Sequence, residues 1–299
     1  YYGYVDDKSL GIDQIHDLQT SGGQRKYTIN FSGRYLGKLA LGVNINIYSI
    51  DYAQRKFTSD KYVDGEKSFL DQVDYIQDLR TIGTGVSVQL GALYKASDIL
   101  RLGLNFTSPT YYEIEDEYTE ALDVRYNSEL DGAMGRSLYP NVVNILPSYN
   151  LKTPSITQAS MALVFGTSGL LSIDYGLKDY TNTKTSDSNG SFDYLNDEIS
   201  SNLEAASFLR AGGETRLGDI SLRAGYWFEK SPYKNTQLMT ERSGFAVGTG
   251  IRFGNASLDL TYTKLNQDFQ HQLYTIGLTD SFNVQQQSGN VSLTYNVRF

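Results

Sequence analysis

The sequence predicts an all-β fold, a transmembrane antiparallel up-and-down β-barrel, on three observations. The last nine residues alternate throughout: Val291, Leu293, Tyr295, Val297 and Phe299 are apolar, while Ser292, Thr294, Asn296 and Arg298 are polar. Successive side chains of a strand point to opposite faces, so such a run has one oily face and one wet face. The same period of two recurs in ten earlier runs, giving eleven strands. The segments between the runs alternate short and long, as in barrels with short periplasmic turns and long outer loops.

In chain order, the first run, 27–33, puts Tyr27, Ile29 and Phe31 on the oily face. The second, 39–50, puts Leu39, Leu41, Val43, Ile45 and Ile47 there, opposite Gly42, Asn44 and Asn46. Val86, Val88, Leu90, Ala92 and Tyr94 form the third run, and a turn at Ala96-Ser97-Asp98 leads to Leu100, Leu102, Leu104 and Phe106. Ala159, Met161, Leu163 and Phe165 turn at Gly166–Gly169 into Leu171, Ile173, Tyr175 and Leu177. Leu203, Ala205, Leu209, Ala211 and Leu217 turn at Gly218-Asp219 into Ile220, Leu222, Ala224, Tyr226 and Phe228. Phe245, Val247, Ile251 and Phe253 turn at Gly254-Asn255 into Ala256, Leu258, Leu260 and Tyr262, and 291–299 closes the series.

Residues 51–81, 107–149, 181–200, 229–242 and 267–286 are read as long loops from their polar composition. Many strands exceed the roughly 9–11 residues that cross a bilayer, so extension above the membrane is expected. A soluble β-sandwich also alternates, but it buries its oily face and does not sort its connections by length. Burial of Leu293, Leu258 and Leu102 in one two-layer core would therefore contradict the barrel.

Composition agrees. The 299 residues include 24 Tyr and 28 Gly but only 5 Pro, which suits an aromatic girdle around a polar interior. A net charge of −8 argues against nucleic acid as a partner. The absence of cysteine excludes disulfides, thiolate metal sites and a Cys nucleophile. No apolar run reaches the length of a membrane-spanning helix.

The polar face carries the candidate site residues, a lumen-facing network of Arg101, Asn105, Asp174, Arg210, Glu214, Arg223, Arg252 and Asp259. Buried charges need partners. Arg101, Arg210, Arg223 and Arg252 are therefore expected to pair with Asp174, Glu204, Glu214 and Asp259, the competing role being a ligand-carboxylate anchor. Polar-face glycines (Gly42, Gly91, Gly103, Gly176, Gly225, Gly248, Gly250) leave space for a plug or ligand, or relieve curvature. Tyr35, Tyr94, Phe165, Tyr175, Tyr180, Phe253, Tyr262 and Phe299 lie at strand ends, where rings favour the headgroup zone.

No catalytic, cofactor or metal site is expected. His16 and His271, the only histidines, fall in expected loops without a neighbour at ligand spacing. The acidic run Glu113, Glu115, Asp116, Glu117 and Glu120 reads as a solvated loop base. The alternative is a divalent-cation bridge to lipopolysaccharide.

Three stretches carry a family likeness. One runs Gly83-Thr84-Gly85-Val86-Ser87-Val88-Gln89-Leu90-Gly91-Ala92-Leu93-Tyr94, through Asp98–Phe106, to Thr107-Ser108-Pro109-Thr110-Tyr111-Tyr112. Another comprises Leu151-Lys152-Thr153-Pro154, Ala162–Gly166, Gly169–Tyr175 and Asp179-Tyr180; the third is Leu222-Arg223-Ala224-Gly225-Tyr226 with Ser231-Pro232. In this order they resemble the FadL/TodX-type outer-membrane transport family, in its Bacteroidetes-like form, over most of residues 24–299. The resemblance implies a fourteen-stranded barrel, an N-terminal hatch and a side opening at a kinked strand. It therefore implies a hatch and three strands preceding Tyr1, with the chain a single barrel domain over 1–299. The C-terminal strand also resembles the signal read by the barrel-assembly machinery, carried by Tyr295, Val297 and Phe299.

The expected function is passive outer-membrane transport of hydrophobic compounds such as long-chain fatty acids, with ligand bound at the loop end of the lumen. The alternative is a structural or adaptor barrel in a larger outer-membrane assembly or secretion complex. Expected partners are outer-membrane lipid and lipopolysaccharide, the assembly machinery and a hydrophobic small molecule. A Ser-His-Asp enzyme lacks a barrel-facing histidine as its base.

Overall fold

The computed structural model describes residues 11–63, 70–126, 136–140, 142–272 and 280–298. Within them the chain is one antiparallel sheet system: β1 (Ile12–Tyr35), β2 (Leu39–Tyr62), β3 (Leu70–Lys95), β4 (Leu100–Thr107), β5 (Tyr111–Tyr126), β6 (Arg136–Leu138), β7 (Asn144–Ile145), β8 (Tyr149–Lys152), β9 (Ser155–Val164), β10 (Gly169–Asp179), β11 (Lys184–Ser186), β12 (Ala205–Leu217), β13 (Ile220–Glu229), β14 (Arg242–Phe253), β15 (Ala256–Gln272) and β16 (Ser281–Val297). One 3-10 turn (Tyr180–Asn182) and one helix, α1 (Asp193–Asn202), complete it. From β9 onward the sheet is an up-and-down meander, β9-β10-β12-β13-β14-β15-β16. On the other side β3 pairs with β2, and its second edge is shared by β4 and β5.

The eleven strands expected from alternation are β1, β2, β3, β4, β9, β10, β12, β13, β14, β15 and β16. The long segments between them are the correction. Residues 51–62 and 70–81 continue β2 and β3, and β15 and β16 lengthen into 267–286. The segment 107–149 contains β5, β6 and β7, and Lys184–Ser186 form β11. The acidic run thus lies on strand β5 rather than in a loop, and His16 and His271 lie on β1 and β15.

Glycine closes the short turns. Gly218 and Gly254 stand first in two-residue turns with φ of 62° and 58°, the left-handed conformation that such hairpins require. At the first turn Leu36 (φ 48°) joins Gly37 (φ 68°), closed by Lys38 N–H donating to the Tyr35 carbonyl at 3.1 Å. Elsewhere proline breaks the ladder. Pro109 separates β4 from β5 and Pro154 separates β8 from β9, since neither can donate a ladder bond. Thr110 and Thr153 bridge the two breaks: Thr110 N–H donates to Thr153 Oγ1 and Thr153 N–H to the Thr110 carbonyl, both 3.0 Å.

The chain forms two compact units. The first comprises Tyr1–Lys26, Tyr48–Gly85 and Tyr112–Asn150; the second comprises Tyr27–Ile47, Val86–Tyr111 and Leu151–Phe299. They differ in surface chemistry. In the second unit one strand face is largely apolar toward the short turns, for example Leu41, Val43, Ile45 and Ile47 on β2. In the first unit, the same alternation on β2, β3 and β5 presents Asp51 and Arg55, Asp78 and Arg80, and Glu113 and Glu117.

Exposure in the second unit is inverted relative to a water-soluble protein. On β10, Leu171, Ile173, Tyr175 and Leu177 are exposed, while Ser172, Asp174 and Lys178 are half-buried and Gly176 is buried. Leu293 is 68% exposed, Leu258 39% and Leu102 41%, so no sandwich core holds them. Among the described residues the buried apolar side chains are Tyr112, Ile114, Ala206 and Phe208, all on polar faces. Among those residues no helix is long and apolar enough to cross a membrane.

Candidate functional site

The polar face of the second unit holds three arrangements. The first is an amide ladder across β1 to β4. Asn30 Nδ2 donates to Asn44 Oδ1 (2.5 Å), Asn44 Nδ2 to Gln89 Oε1 (3.0 Å), and Gln89 Nε2 to Asn105 Oδ1 (2.9 Å). A carboxamide carries both donor and acceptor, so each rung hands the chain to the next. Beside it, Thr28 Oγ1 donates to Asn46 Oδ1 (2.9 Å) and Asn46 Nδ2 to Ser87 Oγ (3.3 Å). Asn46 is 0% exposed, and these bonds offset the cost of burying its amide.

The second is a charge network near the short turns of β12 to β16. Arg223 Nε donates to Glu214 Oε2 at 2.7 Å, and its NH1 to Asp259 Oδ1 at 2.5 Å. Arg216 Nε binds the other oxygen of Glu214 at 2.5 Å. Asn296 Nδ2 donates to Asp259 Oδ2 at 3.3 Å. Arg223 and Asp259 sit on strands separated by β14, whose polar-face positions here are Gly248 and Gly250. A Cβ on Gly250 would lie 2.3 Å from Asp259 Oδ1, so glycine clears the path.

The third is an aromatic cleft toward the long-loop ends of β10 to β15. The Phe208 ring lies across Gly176, where a Cβ would meet its Cζ at 2.3 Å. Trp227 lies the opposite way, across Gly244, with its Cζ2 2.3 Å from a hypothetical Cβ. The Arg210 guanidinium carbon stands 5.0 Å from the Phe208 centroid, and Lys178 Nζ 6.0 Å away, a cation–π geometry on both counts. Lys178 is ion-paired with Glu229. Trp227, Phe208, Arg210, Arg242 and Leu265 help line a cavity of about 360 Å³. Aromatic rings beside guanidinium groups can hold an apolar body with a polar end.

The expected network is thus divided. Glu214, Arg223 and Asp259 are brought together. Asn105 belongs to the amide ladder. Arg210 stacks on Phe208 although Asp174 is its direct cross-strand partner, and no ion pair joins those two. Arg101 and Arg252 are exposed and form no ion pair among the described residues. Glu204 pairs with Lys230 rather than an arginine, at 3.0 Å. Of the polar-face glycines, Gly176 and Gly250 are covered by neighbouring side chains, while nothing lies within 4 Å of Gly91's missing Cβ. Tyr295 and Val297 are exposed on the apolar face of β16, and Phe299 lies outside the described residues. The apolar strand-end rings Tyr35, Tyr94, Phe165, Tyr175, Phe253 and Tyr262 are exposed.

Alternation alone did not single out Phe208 and Trp227. Their signal was a large ring at a polar-face position with a glycine at the facing position of the next strand. In the first unit Tyr112 repeats it over Gly85, 2.4 Å from a hypothetical Cβ. There two acidic residues of β5 have protein partners: Thr81 and Tyr149 donate to Asp116, and Tyr75 and Tyr118 to Glu120. His16 Nδ1 is 3.3 Å from Thr58 Oγ1, and His271 packs edge-on to Phe282 at 5.4 Å. Among the described residues no three His, Asp or Glu groups converge as metal ligands.

No protein-family model matches the sequence, and no curated protein matches it. Among solved structures, the chain is similar to a Pseudomonas aeruginosa FadL homologue at 13% identity and a TM-score of 0.49, over 90% of this chain and 76% of that one. It is similar to the Ralstonia pickettii toluene transporter TbuX at 13% identity and a TM-score of 0.45, over 97% of this chain and 88% of the other. The Pseudomonas putida toluene transporter TodX is similar at 12% identity and a TM-score of 0.44, over 97% and 88%.

Proposed function

We propose that the chain is an outer-membrane barrel that passively carries hydrophobic compounds, binding them in the aromatic cleft at the long-loop end of its lumen. The carrying observation is the pairing of two surfaces on the same strands. The face that should meet water is lined with exposed leucine, isoleucine, valine and tyrosine, which lipid satisfies. The face that should be a core is polar, and Phe208, Trp227 and Leu265 interrupt it with an apolar patch. The assembly machinery engages the last strand through Tyr295, Val297 and Phe299. The names of the similar structures point the same way, and long-chain fatty acids are one substrate class that fits.

Uptake of a hydrophobic fluorophore into vesicles containing the purified protein tests this directly. Uptake above empty vesicles, lost on replacing both Phe208 and Trp227 by alanine, supports the reading; equal uptake in both overturns it.

One observation favours a second reading, an adaptor barrel. On the apolar face, Ala211, Gly213 and Ala224 form the floor of a groove of about 470 Å³ walled by Leu171, Ile173 and Tyr226. Small residues let another spanning element approach closely. Stoichiometric co-purification with another outer-membrane protein, lost on G213L, would support it.

A further inference from the structure

The short-turn end of the second unit is charged in the sense opposite to the chain. On the polar face there, alternation places six arginines: Arg34, Arg101, Arg216, Arg223, Arg252 and Arg298. Two carboxylates face them, Glu214 and Asp259, and both are already bonded to Arg216 or Arg223. With Lys95 and the turn residues Lys38, Asp98 and Asp219 included, eight cationic side chains stand against four carboxylates at this end, a local net charge of +4 within a chain of net −8. Arg34, Arg101, Arg252 and Arg298 form no ion pair among the described residues. Lys95 stands directly opposite Arg101 in the β3–β4 register, a like-charge placement that costs stability, and its own partner is Asp98 at the turn.

Alternation puts their neighbours Tyr35, Leu102, Leu217, Ile251 and Val297, all exposed, on the opposite, apolar face, so these arginines belong to the polar face rather than the one read as meeting lipid. Arginine stays charged at every accessible pH and presents a fork that fits carboxylate and phosphate oxygens. Rings of Arg or Lys select anions in pores.

Resting on the lumen reading above, we propose that this arginine rim is an anion-selective exit, taking small anions with carboxylate- or phosphate-type oxygens and passing chloride as a probe. The four unpaired arginines set the selectivity. The Glu214–Arg223–Asp259 network holds the rim in shape.

The test is reversal potential across planar bilayers containing the full protein, under a tenfold potassium chloride gradient. The wild type is expected to favour chloride over potassium. R101Q/R252Q/R298Q, which leaves the bonded network untouched, is expected to lower that preference at least threefold, and the corresponding triple lysine variant to retain it. Resistance of each folded barrel to dissociation in cold detergent verifies that the variants assemble. Cation preference in the wild type, an unchanged ratio in the glutamine variant, or no conductance at all overturns the proposal. Hydrophobic uptake that persists alongside any of those results leaves the transport reading standing and removes only this one.

Discussion

The Arg223 guanidinium reaches across an entire strand to Asp259, NH1 to Oδ1 2.5 Å, passing over Gly248 and Gly250 of β14. Three strands are thereby tied by side chains as well as by their backbone ladders, because Arg223 also holds Glu214 on β12. Both carboxylates are largely covered, whereas the arginine is 40% exposed, so solvent weakens each contact.

Removing one partner from this network leaves the other charge without its bond. D259N and R223Q should each lower stability by about 1–2 kcal/mol. A double-mutant cycle in urea unfolding from vesicles should give a coupling of about 1 kcal/mol. Additive single effects would show that the contact contributes nothing.

Gly250 is predicted to be as sensitive as the charges it separates. In G250V the new side chain would crowd both Asp259 Oδ1 (2.3 Å) and Ser221 Oγ (2.7 Å) from its first carbon. The carboxylate must swing away from Arg223, so G250V should cost about as much as D259N and add little to it in the double variant. Full additivity would place the glycine's role elsewhere.

Trp227 is the sole tryptophan, so fluorescence reports on the aromatic cleft without background. Titration with a monoaromatic hydrocarbon or a fatty acid should quench or shift its emission saturably. F208A should weaken that binding about tenfold, equivalent to about 1.4 kcal/mol. G244V should alter the emission even without ligand, because the added carbon meets both the indole at 2.3 Å and the Lys264 carbonyl at 2.3 Å. Unsaturable emission changes would contradict the binding role.

Tyr149 gives a pH prediction in the first unit. Burial, then the Asp116 carboxylate that its hydroxyl donates to at 3.1 Å, push its phenol up to about 12. A raised value in the folded state means stability fully present below the ordinary tyrosine value near 10 and lost as pH rises from there through 12. The difference in absorbance titration at 295 nm between the wild type and Y149F should show one phenol ionising late. A difference centred near 10 would contradict this.

What alternation could reveal depended on which solvent each face meets. β10, oily on one side and wet on the other, was legible over most of its length, and β16 from Val291 onward. β5 was not, because Glu113, Glu115 and Glu117 occupy the side that is leucine or valine elsewhere, and Tyr112 and Ile114 occupy the other. With both faces mixed, the period of two carries no contrast, and Pro109 and Pro154 add the appearance of loop. The upper parts of β2 and β3 were hidden for the same reason, by Asp51, Arg55, Asp78 and Arg80. Charge pairing was legible only where side chains reach. Asp174 and Arg210 are cross-strand neighbours, yet Phe208 holds the arginine instead.

The central claim is that the apolar face meets lipid and the polar face meets water. The chain has no cysteine, so single cysteines introduced along β15 can each carry one spin label. In lipid vesicles, labels at Leu258, Leu260 and Tyr262 should be accessible to oxygen and shielded from a water-soluble nickel relaxant, with the reverse at Asp259, Thr261 and Thr263. Shielding from both reagents at Leu258, Leu260 and Tyr262 would mean a packed protein core and would contradict the account.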